Sequence, residues 1–284
     1  MALLKWFGQY KTIAGKLAIT SVLFIFTVWT VFPILWLVRT SLVPAAQSEG
    51  LPPDWVSGLN LANYRELLGP AGYGTPLLHS MFASLAVTAL ATICGTSAAY
   101  ALVHLRRTVR ATGRFEFWVI SSRFAPSFAV GIPYYYIYRT IHLEDTLYGV
   151  VLAELVGVVG IVTWIMITSF KAIPSILLEA GQVDGCSALT NLLRVALPLV
   201  TPGLVGAATV AFLFSWNEFF LALLLTNTSA VTAPVALYQL IGNLQLNIGE
   251  LAAGGCIVVA PTVLVVAFFQ KQLIEGLTLG SVQE

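Results

Sequence analysis

Apolar runs long enough to cross a bilayer alternate along this chain with shorter polar stretches. A spanning helix needs about 20 apolar residues at a rise of about 1.5 Å each, and six segments meet that length: residues 17–38, 76–102, 115–138, 147–170, 199–226 and 248–269. Between the fourth and fifth lies a polar, helix-forming island, residues 175–203, whose two halves are each too short and too polar to span. In its first half Ile176, Ala180 and Val183 recur at i, i+4 and i+7, which puts an apolar stripe opposite Glu179 and Gln182. Asp184-Gly185 then supplies a turn. From Ser187 onward Leu189, Leu192, Leu193 and Ala196 repeat the helical spacing, with Asn191 and Arg194 on the other face, until Pro198 and Pro202 interrupt it. The pattern predicts two short amphipathic helices in a bent loop. The fold expected is an all-α integral membrane protein of six transmembrane helices. Residues 1–16 form an N-terminal segment, 17–270 a single membrane domain and 271–284 a C-terminal tail.

Composition agrees with this class. The 284 residues are 58% hydrophobic and only 10% charged, with a mean hydropathy of +0.87, against about 25% charged in a soluble domain. A net charge of +1 offers no global field to attract nucleic acid or an acidic partner. Cys94, Cys186 and Cys256 are far apart, form no CxxC or Cys/His spacing, and read as unpaired small hydrophobes. Lys5, Lys11 and Lys16 precede the first apolar run, as in a signal peptide. That run is too long for such a signal and lacks a small-residue cleavage site, so it is expected to be a retained span.

The placement of charge then sets orientation. With the N-terminus inside, ten basic residues (Lys5, Lys11, Lys16, Arg106, Arg107, Arg110, Arg114, Lys171, Arg194, Lys271) fall on the cytoplasmic side and three (Arg39, Arg65, Arg139) on the other, with Arg123 inside the third span. Both termini and the 175–203 island are therefore expected in the cytoplasm. The longest external loop, 40–75, carries Pro52-Pro53 and the glycine-rich run 69–74, and is expected to cap the outside with a short helix near Tyr64 to Leu68.

Spans three and five are the least lipid-like. The third holds Ser121, Ser122, Arg123, Pro126 and Pro133; the fifth holds Ser215, Trp216, Asn217 and Glu218. Such groups at membrane depth need neighbouring helices or a water-filled cavity, so these spans are candidates for lining a pathway. For Arg123 three readings stay open: snorkelling to the cytoplasmic surface, pairing with Glu116 or another carboxylate, or facing the solute route. For Trp216, Asn217 and Glu218 the choice is between interhelix hydrogen bonds and contact with solute or a gate. Asn243 is a further candidate for a polar solute, as is Gln245. No catalytic device is evident in the chain: it has no GxxxxGK[ST], HExxH or GxSxG, and His79, His104 and His142 lie in different segments. The run 69–74 resembles a phosphate loop only in its glycines. No catalytic or metal-ligating residue is expected, and no cofactor.

The island resembles the EAA loop of permease subunits in binding-protein-dependent ABC importers. It reads Glu179-Ala180-Gly181, Asp184-Gly185 and then Ala196-Leu197-Pro198, with Gly181 in place of the third alanine. Similarity to the carbohydrate, MalG-like branch of that family extends to Asn63-Tyr64-Arg65, to Ala98 through Leu102 followed by basic residues, to Trp216-Asn217-Glu218, to Thr232-Ala233-Pro234-Val235 and to Glu275 through Gly280. The resemblance implies a permease of the bacterial cytoplasmic membrane. Its implied partners are a second homologous permease, a dimer of cytoplasmic ATPase subunits that binds ATP and Mg, and an external solute-binding protein. It also implies that a coupling loop, about 171–198, docks a helix into a cleft on the ATPase. Ile176, Leu177, Glu179, Ala180, Gly181, Val183, Asp184 and Gly185 are the coupling residues so expected, and Arg123, Trp216, Asn217, Glu218 and Asn243 the candidate solute-path residues. The competing expectation is a secondary transporter driven by an ion gradient, with Arg123, Glu154 and Glu218 as relay charges; an intramembrane enzyme lacks an evident nucleophile, base or metal set.

Overall fold

The structure is a computed structural model that describes residues 13–44, 58–105, 114, 117–119, 121, 127–242 and 247–278. Among the described residues all regular structure is helical. In chain order the helices are α1 (Ile13–Ser41), α2 (Ala62–Leu68), α3 (Gly74–Leu105), α4 (Ser127–Thr140), α5 (Leu147–Lys171), α6 (Ser175–Val183), α7 (Ala188–Leu199), α8 (Thr201–Trp216), α9 (Phe220–Leu225), α10 (Ala233–Ile241) and α11 (Ile248–Thr278). Four of them, α1, α3, α5 and α11, are long and apolar enough to cross a membrane singly, and α7 with α8 forms a further candidate bent by 89°.

The expected third span, 115–138, is described only in part: α4 covers its second half, and Arg123 and Glu116 lie outside the described residues, as do Asn243 and Gln245. The expected fifth span, 199–226, is not one helix. It ends as α8 at Trp216, and the chain turns through Asn217 to Phe219 before α9. The polar Asn217-Glu218 pair explains the break, because Glu218 turns its carboxylate back to accept the Leu221 N–H (2.9 Å) at the start of α9.

The chain divides into two compact units: residues 1–71 with 244–257, and residues 72–243 with 258–284. In the first, the Asn63 side chain is buried and donates to the carbonyls of Ser41 (3.0 Å) and Val43 (2.8 Å), closing the C-terminal end of α1. Tyr64 Oη and Ser41 Oγ lie 2.8 Å apart. These bonds give Asn63-Tyr64 a physical task, and α2 falls where the short external helix was expected. The middle of α1 stands exposed, with Leu23, Phe26 and Trp29 each 60% or more accessible.

The core of the second unit is the packing of α3 on α5 with α8 across both. On α3, Ala83, Val87, Ala91, Gly95 and Ala99 recur every fourth residue and are all buried. Small residues at that spacing let two backbones approach closely, which is how helices associate where no hydrophobic force drives them. At Gly95 a β-carbon would come within 2.8 Å of Val162 Cγ1 and 3.1 Å of the Thr163 nitrogen. On α5, Val158, Ile161, Val162, Ile165 and Met166 fill the facing surface. The one carboxylate in this packing, Glu154, is 4% exposed and accepts a short hydrogen bond from the Ser215 hydroxyl of α8. That bond links the two helices and satisfies a polar pair at membrane depth.

A loop clasp organises one end of this unit. Asp145 sits at φ +52°, in the left-handed region that Asp tolerates better than most residues. Its carboxylate accepts the backbone N–H groups of Asn227, Thr228, Ser229 and Ala230 at 2.9–3.2 Å and the Thr228 hydroxyl at 3.0 Å. Its own N–H donates to the Leu225 carbonyl (2.7 Å). Burial pushes the Asp145 carboxyl upward, but those donors outweigh it and hold the group well below the usual carboxylate range. The segment beyond is tied to α3: Ala233 N–H donates to Ser80 Oγ (2.8 Å), the Ala233 carbonyl accepts the Tyr73 hydroxyl (2.9 Å), and His79 Nδ1 lies 3.0 Å from the Val231 carbonyl. The Thr232-Ala233-Pro234-Val235 motif is therefore the docked start of α10.

Candidate coupling site

The island of residues 175–203 folds as expected up to its middle and differs after it. Pro174 precedes α6, and Ser175–Val183 forms a single helix of nine residues. It ends at Gly185, whose φ of +83° is the left-handed conformation that glycine supplies without strain. There Gly185 N–H donates to the Gln182 carbonyl (3.0 Å) and Cys186 N–H to the Gly181 carbonyl (2.9 Å), the paired bonds of a Schellman end. Ser187 then caps α7, accepting the Thr190 N–H (3.2 Å).

The second helix passes through Pro198 rather than stopping there. Residues Leu192–Ala196 widen into a π turn, in which Leu197 N–H reaches back to the Leu192 carbonyl. Pro198 has no N–H to give to the carbonyl four residues earlier, and its ring crowds that carbonyl, so a wider turn accommodates it. The chain breaks at Val200 instead, and α8 leaves at 89° with Pro202 in its first turn.

The faces of α6 are the reverse of those of an ordinary surface helix. Its apolar stripe points outward: Ile176 is 71% exposed, Val183 87%, and Leu177 43%, with Ala180 exposed beside them. The opposite face is held to the protein. Leu178 packs on the core, Gly181 is buried against Asn191, and Gln182 Nε2 lies 3.1 Å from Nε2 of His104 at the end of α3. A cleft of about 340 Å³ opens on that side, lined by His104, Lys171, Leu178, Glu179 and Gln182 among others. Glu179 and Asp184 are exposed. In the second half the expected apolar stripe divides: Leu192 and Ala196 are buried, whereas Leu189 and Leu193 are more than half exposed. Asn191, assigned to the polar face, is 1% exposed.

The candidate solute-path residues of the fifth segment sort by burial. Trp216 is 1% exposed, stacks near Phe212 and donates its indole N–H to the Val258 carbonyl (2.8 Å), so it packs and bonds between helices. Asn217 is exposed and bonds the Leu213 carbonyl (2.8 Å), with Thr262 Oγ1 at 3.5 Å; Glu218 is half-buried. The residues missed by pattern alone are Asp145, Asn191 and His104, whose partners lie 10 to 85 residues away in the chain. No group of three or more metal-binding side chains occurs among the described residues.

Residues 91–278 match the model of the family described as "Binding-protein-dependent transport system inner membrane component". The trehalose transport system permease protein SugB of Mycobacterium tuberculosis is 32% identical over 265 residues, covering 90% of this chain and 93% of that protein. The sulfoquinovosyl glycerol transport system permease protein SmoH of Agrobacterium fabrum is 28% identical, covering 89% and 88%. Among solved structures, a chain of a bacterial ABC transporter involved in the import of the acidic polysaccharide alginate superposes with a TM-score of 0.78 at 20% identity, over 92% of this chain and 98% of that one. At that identity the likeness concerns the fold.

Proposed function

The chain belongs to the family of inner membrane components of binding-protein-dependent transport systems, and from that membership we propose that it is a transmembrane permease subunit of an ATP-driven importer for a sugar or sugar derivative. It is a multi-pass membrane protein of the permease kind, not itself the ATPase. Its place is the bacterial cytoplasmic membrane, with six spans and both termini inside. The carbohydrate names of its relatives support a polyhydroxylated solute. The complex contains a second, homologous permease, two ATPase subunits that hold ATP and Mg²⁺, and an external binding protein that sets much of the specificity. The second permease and lipid cover the exposed apolar surface of α1.

Coupling runs through α6. The observation that carries this reading is the outward apolar face of Ile176, Leu177, Ala180 and Val183 on a helix whose other side is tied to the protein. A short helix of that form fits a hydrophobic groove, and Glu179 and Asp184 meet basic residues at its rim. Closure of the ATPase dimer on ATP displaces α6, and α7 and α8 carry the displacement into the membrane. Nucleotide biases an inward and an outward state; no chemistry occurs in this chain. On the membrane side, Asn217 and Glu218 are the polar residues that this reading assigns to the solute path among those described, with Arg123 and Asn243 as further candidates.

The test is uptake by the reconstituted four-component complex in proteoliposomes. Glu179→Lys reverses the rim charge, and Gly185→Pro forces a φ near −65° where +83° is needed. Both abolish ATP-dependent uptake while the binding protein keeps its affinity; normal uptake by both variants contradicts the proposal.

A further inference from the structure

Gly181 stands where the resemblance leads one to expect alanine, and the reason lies ten residues away. A β-carbon at 181 would sit 2.8 Å from Asn191 Oδ1, 3.2 Å from its Cγ and 3.4 Å from its Nδ2. The Asn191 amide thus fills the space that a methyl group would take. Its Nδ2 donates to the Leu178 carbonyl of α6 at 2.9 Å, across the Asp184-Gly185 corner. Its Oδ1 is buried without a hydrogen-bond partner, so the amide is held by that one bond and by the shape of the gap over Gly181. An unpaired buried oxygen calls for a reason.

We propose that Gly181 and Asn191 are a matched pair of positioning residues that lock α6 to α7, so that the loop moves as one body when α6 is displaced. The pair deepens the coupling reading and rests on it. Without the lock, a push on α6 is absorbed by hinging at Asp184-Gly185, the corner closed by the Schellman bonds that end α6 and followed by the Ser187 cap that begins α7. With it, the displacement reaches α8 through the π turn and Val200. Because both residues act through one contact, alanine at both positions costs no more than alanine at either: once the 181 methyl displaces the 191 amide, or the amide is removed, the bond to the Leu178 carbonyl is already gone.

Cys186, a free and partly exposed thiol at the corner whose N–H bonds the Gly181 carbonyl, reports opening of the two helices. Its rate of maleimide labelling, read by mass spectrometry of its own peptide, needs neither transport nor partners. Gly181→Ala and Asn191→Ala each raise that rate about fivefold, the factor that one lost hydrogen bond carries, and the double variant also rises about fivefold rather than the roughly 25-fold of two independent losses. In the reconstituted complex, solute transported per ATP hydrolysed falls at least threefold in each single variant and no further in the double. A double variant whose labelling rate is the product of the two single effects, singles that label at the parental rate, or a raised rate with an unchanged transport ratio overturns the proposal. Val183→Asp separates it from the coupling reading: this change lowers transport at the parental labelling rate, and if it leaves transport unaltered the docking role of α6 is lost while the matched pair stands on its labelling.

Discussion

Asp145→Asn tests the clasp on its own, because Asn accepts the left-handed φ of +52° about as readily as Asp and nearly preserves shape. The change removes the charge and replaces one acceptor oxygen with an NH₂ that faces the N–H groups of Thr228 and Ser229. A hydrogen bond to a charged group contributes about 1.5–3 kcal/mol against about 0.5–1.5 for a neutral one. Five donors converge on this carboxylate, but it is half-buried and such contributions do not add, so solvent screening brings the expected local loss to about 2–4 kcal/mol. Hydrogen exchange of the Asn227, Thr228, Ser229 and Ala230 amides then accelerates about 30- to 900-fold, at a factor of ten per 1.36 kcal/mol. Asp145→Ala costs about 1–2 kcal/mol more, because alanine has no polar side chain whose local hydrogen bonds support the left-handed φ. Because the folded carboxyl is held below its usual range, its stabilisation is fully present above about pH 4 and is lost as pH falls towards the lower folded value. The difference in stability between parent and Asp145→Asn therefore stays constant from pH 8 to 5 and shrinks below about pH 4. Unchanged amide protection in Asp145→Asn, or a difference already fading at pH 6, refutes the clasp.

Gly95→Val forces a branched side chain into the α3–α5 contact and costs about 1–3 kcal/mol of overpacking, lowering the melting temperature in detergent; Gly157→Ala, where a β-carbon meets nothing within 4 Å, does not lower it and serves as the control. Glu154→Gln keeps an acceptor for the Ser215 hydroxyl and preserves both stability and ATP-driven uptake, whereas Glu154→Ala leaves that hydroxyl unpaired at a cost of about 1 kcal/mol. Loss of uptake in Glu154→Gln with the fold intact would instead favour a proton or ion relay through this carboxylate.

The elements that periodicity and turn chemistry encode locally were legible in the sequence. The 3.6-residue stripe of Ile176, Ala180 and Val183, the Asp184-Gly185 corner and the short α2 appear where their residues place them. The stripe also carried the functional hint, since an apolar face on a short helix between polar residues has to be covered by something. What pattern could not supply is pairing at a distance. Asn191 reads as a polar-face residue by spacing, yet it is buried because Gly181 leaves room for it. Asp145 is one acid in a loop until the 227–230 backbone wraps around it. Asn217-Glu218 interrupts the apolar run, but a polar pair within a span reads as a pathway-lining site as readily as a helix end, so the turn there is visible only in how Glu218 bonds the Leu221 N–H. The π turn follows from Pro198, but proline alone signals a stop or a kink as readily as a widened turn.

Site-specific photo-crosslinking from α6 in the assembled complex tests the central claim most directly. A photoreactive residue at 176 or 183, on the outward face, is predicted to form its main adduct with the ATPase subunit, while one at 178, on the face packed against the core, links only within this chain. Adducts from 176 and 183 with lipid alone, or ATPase adducts of equal yield from 178, would contradict the assignment of α6 as the docking helix.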